Sequence, residues 1–421
     1  MGITKARTHS VRLALTVSFV LQGAVSTVMI PRIPELIDQL QVNFAVWGAI
    51  IGFSGLGGLV GLMFANRLIV GFGSRRVLQV SAIAFALALV PLPYILNPWI
   101  FFFIQAGMAF AGSCLNVSLS SQAVVLQKHL KRNIIPKFHG GWSIGAAGSA
   151  ALSAYMASFL PMWLHFLLVS GIMAFALLWS TSRALTREEV GLVVERKTAT
   201  SAPFWKSPRL LWVLSAGWFA GVFPELAIMD WSTVFGSKVL QLDAALSTVP
   251  YTFFVAAMII SRLSIARLTR GVHVGVASFW GGLVGTTAMG LGVFLGQLVA
   301  HEDKLAGMFL TAGLWFIAGL GIGPMAPTFN AAAGQIKGLS TAQGLARAAL
   351  VSSLLITGAK LLMGAIAQDV SLIIAFALPT ALFFIASIVA GVWAKSDIAA
   401  KAVIEDAFPI TGPIGIVAAG K

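Results

Sequence analysis

Twelve runs of about twenty apolar residues, set apart by short polar stretches, dominate this chain of 421 residues. An α-helix of that length rises about 30 Å, the thickness of the hydrocarbon core of a bilayer. Lipid offers no hydrogen bonds, so each run must satisfy its own backbone, which a helix does and an isolated strand does not. We read the spans as 13–31, 45–65, 77–95, 99–125, 138–159 and 162–181, then 210–232, 245–265, 273–299, 306–333, 345–366 and 370–394. Only 10% of the residues are charged and 58% are hydrophobic. A soluble domain carries about 25% charged residues, so a water-facing surface cannot be assembled from this stock. The three basic residues Lys5, Arg7 and Arg12 ahead of an apolar run resemble a secretory leader. That run is long and ends in Met-Ile-Pro-Arg without a small-residue exit, so an uncleaved first span is expected.

The net charge of +14 could point to nucleic acid, but the charges form short clusters between apolar runs rather than one basic face. With the N-terminus inside, 24 of the 28 Lys and Arg residues fall in inner segments, and Arg32, Lys238 and Lys304 fall in outer ones. The positive-inside rule demands such a bias, and moving the frame by one span destroys it. Both termini are therefore expected in the cytoplasm, with the protein in the inner membrane of a bacterial cell. The long internal polar stretch, 182–209, has six spans on either side. Ala65-Asn66-Arg67-Leu68 is echoed 200 residues later by Ile265-Ala266-Arg267-Leu268. The expected fold is an all-α membrane protein of twelve transmembrane helices in two pseudo-symmetric six-helix bundles. The bundles are 1–181 and 210–394, 182–209 is a cytoplasmic linker, and 395–421 is a cytoplasmic tail.

The segment Gly61-Leu-Met-Phe-Ala-Asn66-Arg67-Leu-Ile-Val-Gly-Phe-Gly73-Ser-Arg75-Arg76-Val77 resembles the loop signature of the major facilitator transporters. Asn66 and Ala266 stand where that family carries Asp, which weakens the charge relay usually placed there. Three further stretches are similar to the YbjJ-like, fucose-permease-related bacterial branch. They are Asn116 with Ser121-Gln122-Ala-Val and Phe138-His-Gly-Gly-Trp142, then Glu225 with Asp230-Trp-Ser, and Gly319-Leu-Gly-Ile-Gly323 running into Ala331-Ala-Ala-Gly334. Leu226 and Ala359-Lys360 depart from the branch pattern. The resemblance implies two parallel halves with a binding site near the midplane between them. It also implies a cavity lined by spans one, four, seven and ten.

Ionisable groups at membrane depth are the sharpest functional signals, since each costs about 2.5–3.5 kcal/mol to insert. Glu225 lies roughly 22 Å from the inner face by helix rise, and Lys360, counted from Arg347, roughly 20 Å. Spans seven and eleven are neighbours in the resembled fold, so a buried Glu225–Lys360 pair is expected, either coupled to protons or only neutralising two charges. Asp230 lies further out and either gates the outer vestibule or caps a loop. The binding site is expected from Gln22, Asn116, Gln122, Glu225 and Trp315; for the polar ones, helix–helix hydrogen bonding is the rival role. Arg32 and Glu35 are candidates for an outer gate. Arg67, Arg75, Arg76, Arg262 and Arg267 are candidates for inner gating contacts to helix C-terminal carbonyls or lipid phosphates, or else they only fix topology. His139 and Trp142 are read as helix-end packing, and Trp47, Trp99, Trp163, Trp205 and Trp393 as interfacial belts. Gly48/Gly52 and Gly57/Gly61 are small-residue pairs suited to close helix approach.

No nucleotide loop, metal motif or catalytic cluster is present, and Cys114 alone forms no disulfide within the chain. An enzyme is not expected, nor any cofactor or metal. The expected function is secondary active transport of a small solute by alternating access, a proton-coupled symport carried out by a monomer in the lipid bilayer. Efflux antiport of a drug or metabolite is the alternative. A transporter-like sensor that moves no cargo, motivated by Asn66 and Ala266, is the reading from another class.

Overall fold

The computed structural model describes residues 5–130, 134–190, 204–268, 270, 272–336, 339 and 341–407. Much of the linker and the end of the tail expected from the sequence lie outside these residues. Every expected span corresponds to a helix. Spans one to six are Lys5–Thr27, Phe44–Phe72, Ser74–Leu87, Pro98–Leu130, Ile135–Ala157 and Met162–Thr181. Spans seven to twelve are Arg209–Lys238, Val249–Leu268, Val274–Ala300, Lys304–Ile322, Thr341–Asp369 and Ala377–Ala407. Eleven described helices are long and apolar enough to cross a membrane. Span five is long enough, but its apolar content is diluted by Gly and Ser and by His139, Trp142 and Tyr155. Those small residues serve contact with span one: a Cβ on Gly145 would fall on the Val20 carbonyl, and one on Gly23 on the Trp142 carbonyl. Small side chains let two backbones touch where lipid gives no hydrophobic drive for association.

Local chemistry ends the helices where the apolar runs end. The Asn43 side chain accepts from the Val46 N–H at 2.9 Å to cap span two, and Asp303 accepts from Leu305 and Ala306 to cap span ten. Spans two and three meet at Gly73, whose φ of 84° is a conformation that glycine adopts without strain. Buried hydroxyls join neighbouring spans within each set of six: Ser18 with Ser180 at 2.8 Å, Thr27 to the Ala146 carbonyl at 2.7 Å, Ser278 with Thr328 at 2.7 Å.

Arginines gather at one end of the helices, here called the basic face. Arg7 donates to the Arg183 and Ala184 carbonyls, Arg75 to the Ser182 carbonyl, and Arg187 to the Val70 and Gly71 carbonyls. These carbonyls end spans six and two, where the helix dipole is negative and the last acceptors lack partners. Arg7 also holds both oxygens of Glu189 at 2.8 Å. That bond, helped by the Thr186 N–H and opposed by burial, pulls the Glu189 carboxyl from 4.5 down to about 2. A depressed carboxyl contributes stability above its unfolded pKa and loses it as pH falls through the folded one. Glu189→Gln should therefore lower the melting temperature equally from pH 6 to 8, and the gap should close as pH falls from about 4.5 toward 2. Thermal unfolding of both proteins in detergent across that range measures it.

Candidate functional site

The two sets of six spans are tied together at the face opposite the arginines. Lys238 Nζ lies 2.9 Å from both oxygens of Asp38, which stands on a short helix, Ile33–Leu40. The Thr233 hydroxyl donates to the Ile30 carbonyl at 3.0 Å, and the Phe44 N–H donates to Gln368 at 3.0 Å. Spans two and eleven cross backbone to backbone: a Cβ on Gly48 would lie 2.8 Å from the Gly364 Cα, and one on Gly364 2.7 Å from the Phe44 carbonyl. The Trp231 ring stands edge-on to Phe44, 5.8 Å between centroids. Further toward the basic face, span two turns to its own set, where Gly57 and Gly61 seat on the Ala106 and Phe110 backbone of span four. Cβ atoms on Gly55 and Gly358 would meet nothing within 4 Å.

Beneath this closed end lie two ion pairs, both with their acid on span seven. Asp230 Oδ2 stands 2.7 Å from Lys360 Nζ of span eleven, a charge contact more than a directed hydrogen bond. Arg262 of span eight donates to Glu225 at 2.7 Å. Side-chain exposure is 12% and 14% for the first pair and 22% and 28% for the second, so the Glu225 pair is the wetter. Tyr251 is buried within electrostatic reach of both acids. Pro224 lies inside span seven just before Glu225. It removes one helical hydrogen bond there, the usual cause of a bend at membrane depth. Two acids and two cations thus sit among spans seven, eight and eleven with a net charge of zero, and Lys360 also meets Gly48 and Gly52 of span two.

This corrects the expected Glu225–Lys360 pair. Five residues along a helix turn the side chain by roughly 140° and raise it about 7.5 Å, so Glu225 faces span eight while Asp230 faces span eleven. Span eleven also begins at Thr341, six residues before the Arg347 from which depth was counted. That moves Lys360 about 9 Å further from the basic face, toward Asp230. Asp230 lies inside the helix Arg209–Lys238 and pairs with Lys360, so it does not cap a loop.

Two other binding candidates are corrected. Gln122 is fully buried: its amide donates to Ser74 Oγ and the Leu185 carbonyl, each at 3.0 Å, and accepts from the Leu185 N–H at 2.8 Å. It clasps the segment after span six to span three, with both its N–H groups committed and its side chain fully buried. Trp315 is buried among Phe235 and Phe376, with its indole N–H toward the Met289 carbonyl at 3.4 Å, inside the second set of spans. Gln22 is buried as well, its amide N–H reaching the Gly112 carbonyl of span four at 3.3 Å, while its carbonyl oxygen has no partner. Asn116 is half-buried and makes no side-chain hydrogen bond among the described residues.

Arg32 does meet Glu35, at 2.6 Å. It also donates to His165 and to the Leu160 carbonyl, so it fastens span one to span six rather than joining the two sets. Of the residues that join them, Gly48 is marked in the sequence as suited to close helix approach, whereas Asp38, Phe44, Thr233 and Gln368 do not stand out there. Arg67 stacks on Phe64, 5.5 Å to the ring centroid, Arg76 is exposed, and the Arg267 side chain falls outside those described. His139 stands edge-on to Phe19 of span one. Trp47 is not in an interfacial belt: it is fully buried against Phe101, whereas Trp99, Trp163 and Trp205 are exposed.

The chain is 29% identical over 259 residues to an uncharacterized transporter of Sinorhizobium fredii, a match over 58% of this chain and 64% of that one. It thus spans a little under two thirds of that relative's length. It is 23% identical over 266 residues to an uncharacterized MFS-type transporter of Yersinia pestis, over 62% of this chain and 67% of the relative. Its fold is similar to the crystal structure of the nucleoside transporter NupG, with a TM-score of 0.66, 13% identity and coverage of 92% and 98%. The family model described as Major Facilitator Superfamily matches residues 15–346. With that match over most of the chain, and with helices arranged as in a solved transporter of the same architecture, this protein belongs to the Major Facilitator Superfamily, a family of membrane transporters and not of enzymes.

Proposed function

We infer that this chain moves a small solute across the cytoplasmic membrane by alternating access, coupled to protons, with the basic face toward the cytoplasm. The observation that carries the reading is the pair of acids on span seven, each matched to a cation on another span at membrane depth. Charges at that depth are costly and mark substrate or proton paths. The units proposed are two six-span bundles, 1–181 and 210–394, joined by 182–209 and followed by the tail. The arrangement described is then the state closed to the outside, held by Asp38–Lys238 and the glycine crossing of spans two and eleven. The arginine bias supports the orientation. Glu225, the wetter acid, is the proposed proton carrier: an incoming proton frees Arg262, and solute takes its place. Polar hydroxylated solutes are the proposed class, in keeping with the fucose-permease-related resemblance and with the nucleoside transporter that shares the fold.

Uptake into proteoliposomes, screened over radiolabelled sugars and nucleosides with and without an imposed pH gradient, tests the reading. Glu225→Gln, neutral at every pH, should lose at least tenfold of gradient-driven uptake while solute exchange between equal pools persists. Gradient-driven uptake that survives in Glu225→Gln would sink the assignment of coupling to this carboxyl.

A further inference from the structure

We propose that the groove on the outer surface of spans two, three and four is a binding site for one anionic phospholipid, its phosphate on Arg76 and an acyl chain along the groove. The groove has a volume of about 510 Å³, and Arg76 is among the residues that line it. Its lining is mainly apolar, with Leu68, Phe72, Val80 and Phe110 beside the exposed Gly107, and Gln79 and Ser81 are its polar members besides Arg76. In a chain that spans a bilayer, a surface groove of this composition faces lipid tails. Ala84 lies eight residues beyond Arg76 on span three, so the slot runs about 12 Å inward from the guanidinium.

Arg76 supplies the selectivity. Its two arginine neighbours are engaged, Arg75 on the Ser182 carbonyl and Arg67 on the Phe64 ring. Arg76 is exposed and makes no hydrogen bond, ion pair or ring contact among the described residues. A guanidinium pairs with a phosphate through two parallel N–H bonds, and basic groups between membrane helices favour acidic headgroups. A zwitterionic lipid offers the same phosphate with a compensating ammonium, so net charge decides the preference. A Cβ at Gly107 would meet nothing within 4 Å, which leaves room there for a methylene chain. The site lies apart from the ion pairs of span seven and does not depend on the transport reading.

Native mass spectrometry of the full chain, released from detergent with phosphatidylglycerol or phosphatidylcholine, tests this through retention of the first bound lipid. The wild-type protein should hold phosphatidylglycerol at least tenfold more tightly than phosphatidylcholine. Arg76→Gln should bring the two within about twofold, and Arg76→Lys should keep part of the difference. Gly107→Leu, which puts a side chain into the groove from an exposed position, should weaken both lipids. Unchanged melting temperatures of the lipid-free variants separate these effects from misfolding. Equal retention of the two lipids by the wild type, an undiminished preference in Arg76→Gln, or tight lipid in Gly107→Leu would each overturn the proposal. So would displacement by inorganic phosphate alone, which would mark a simple anion site.

Discussion

Lys360→Met should lose much of its stability, and Asp230→Asn combined with Lys360→Met should regain most of it. The single change leaves the Asp230 carboxylate without its cation, with only 12% of its side chain exposed. Stranding one partner of a buried pair costs about 3–5 kcal/mol, because the remaining charge keeps its desolvation penalty and loses its attraction. Replacing both partners by neutral groups removes penalty and attraction together, and often leaves stability unchanged or improved. Thermal unfolding in detergent of the wild type, both single variants and the double variant completes the cycle; destabilisation that adds between the singles would show that the pair is not coupled. The same four proteins also separate a strut from a working part. If the pair only neutralises two charges, the double variant transports as well as it folds. If the pair must break and reform as the bundles rock, the double variant is stable and transports at least tenfold more slowly.

The limits of sequence reading here have a common physical cause. Where helices cross the bilayer was legible, because a crossing must be about twenty residues long and apolar, and because arginines mark one side. Which way a side chain points around its helix was not. A soluble helix reveals its buried face by contrast with a polar one, but a membrane helix is apolar toward lipid and toward protein alike. Trp47 and Trp99 therefore look the same in the chain, yet one is fully buried on Phe101 and the other exposed. Trp315 and Gln122 are expected at a cavity because their spans line it in the resembled fold, and rotation about the helix axis places both in protein cores. The Lys360 partner was missed for the same reason, compounded by counting depth from Arg347, six residues inside a helix that begins at Thr341. Glycine rows announced close contact at Gly48 and Gly61 without naming the partner, which is span eleven for one and span four for the other. The Asp38–Lys238 pair escaped notice because loop charges at a membrane surface are common and say nothing alone.

Gly364→Leu should prevent this closed arrangement from forming without unfolding either bundle. The Gly364 position faces the Phe44 carbonyl and the Gly48 Cα across the crossing of spans two and eleven, at 2.7 and 2.8 Å from a built Cβ. Those atoms are backbone, so no side chain can swing aside, and relief comes only by parting the helices. Overpacking of this kind costs about 1–3 kcal/mol, or roughly a 5- to 150-fold shift against the closed arrangement. The Asp38–Lys238 pair reports the outcome, since it bridges the two sets at the same face. In a Cys114→Ser background with Asp38→Cys and Lys238→Cys, a short bifunctional thiol reagent should link the two cysteines rapidly. Adding Gly364→Leu should slow that linkage by at least fivefold and raise labelling at Phe44→Cys by a bulky thiol reagent applied from outside. Because the clash acts between bundles, the melting temperature should fall far less than it does in Lys360→Met. Undiminished cross-linking in Gly364→Leu would mean that the crossing can loosen locally, and that the glycines are not what sets how closely the two bundles approach.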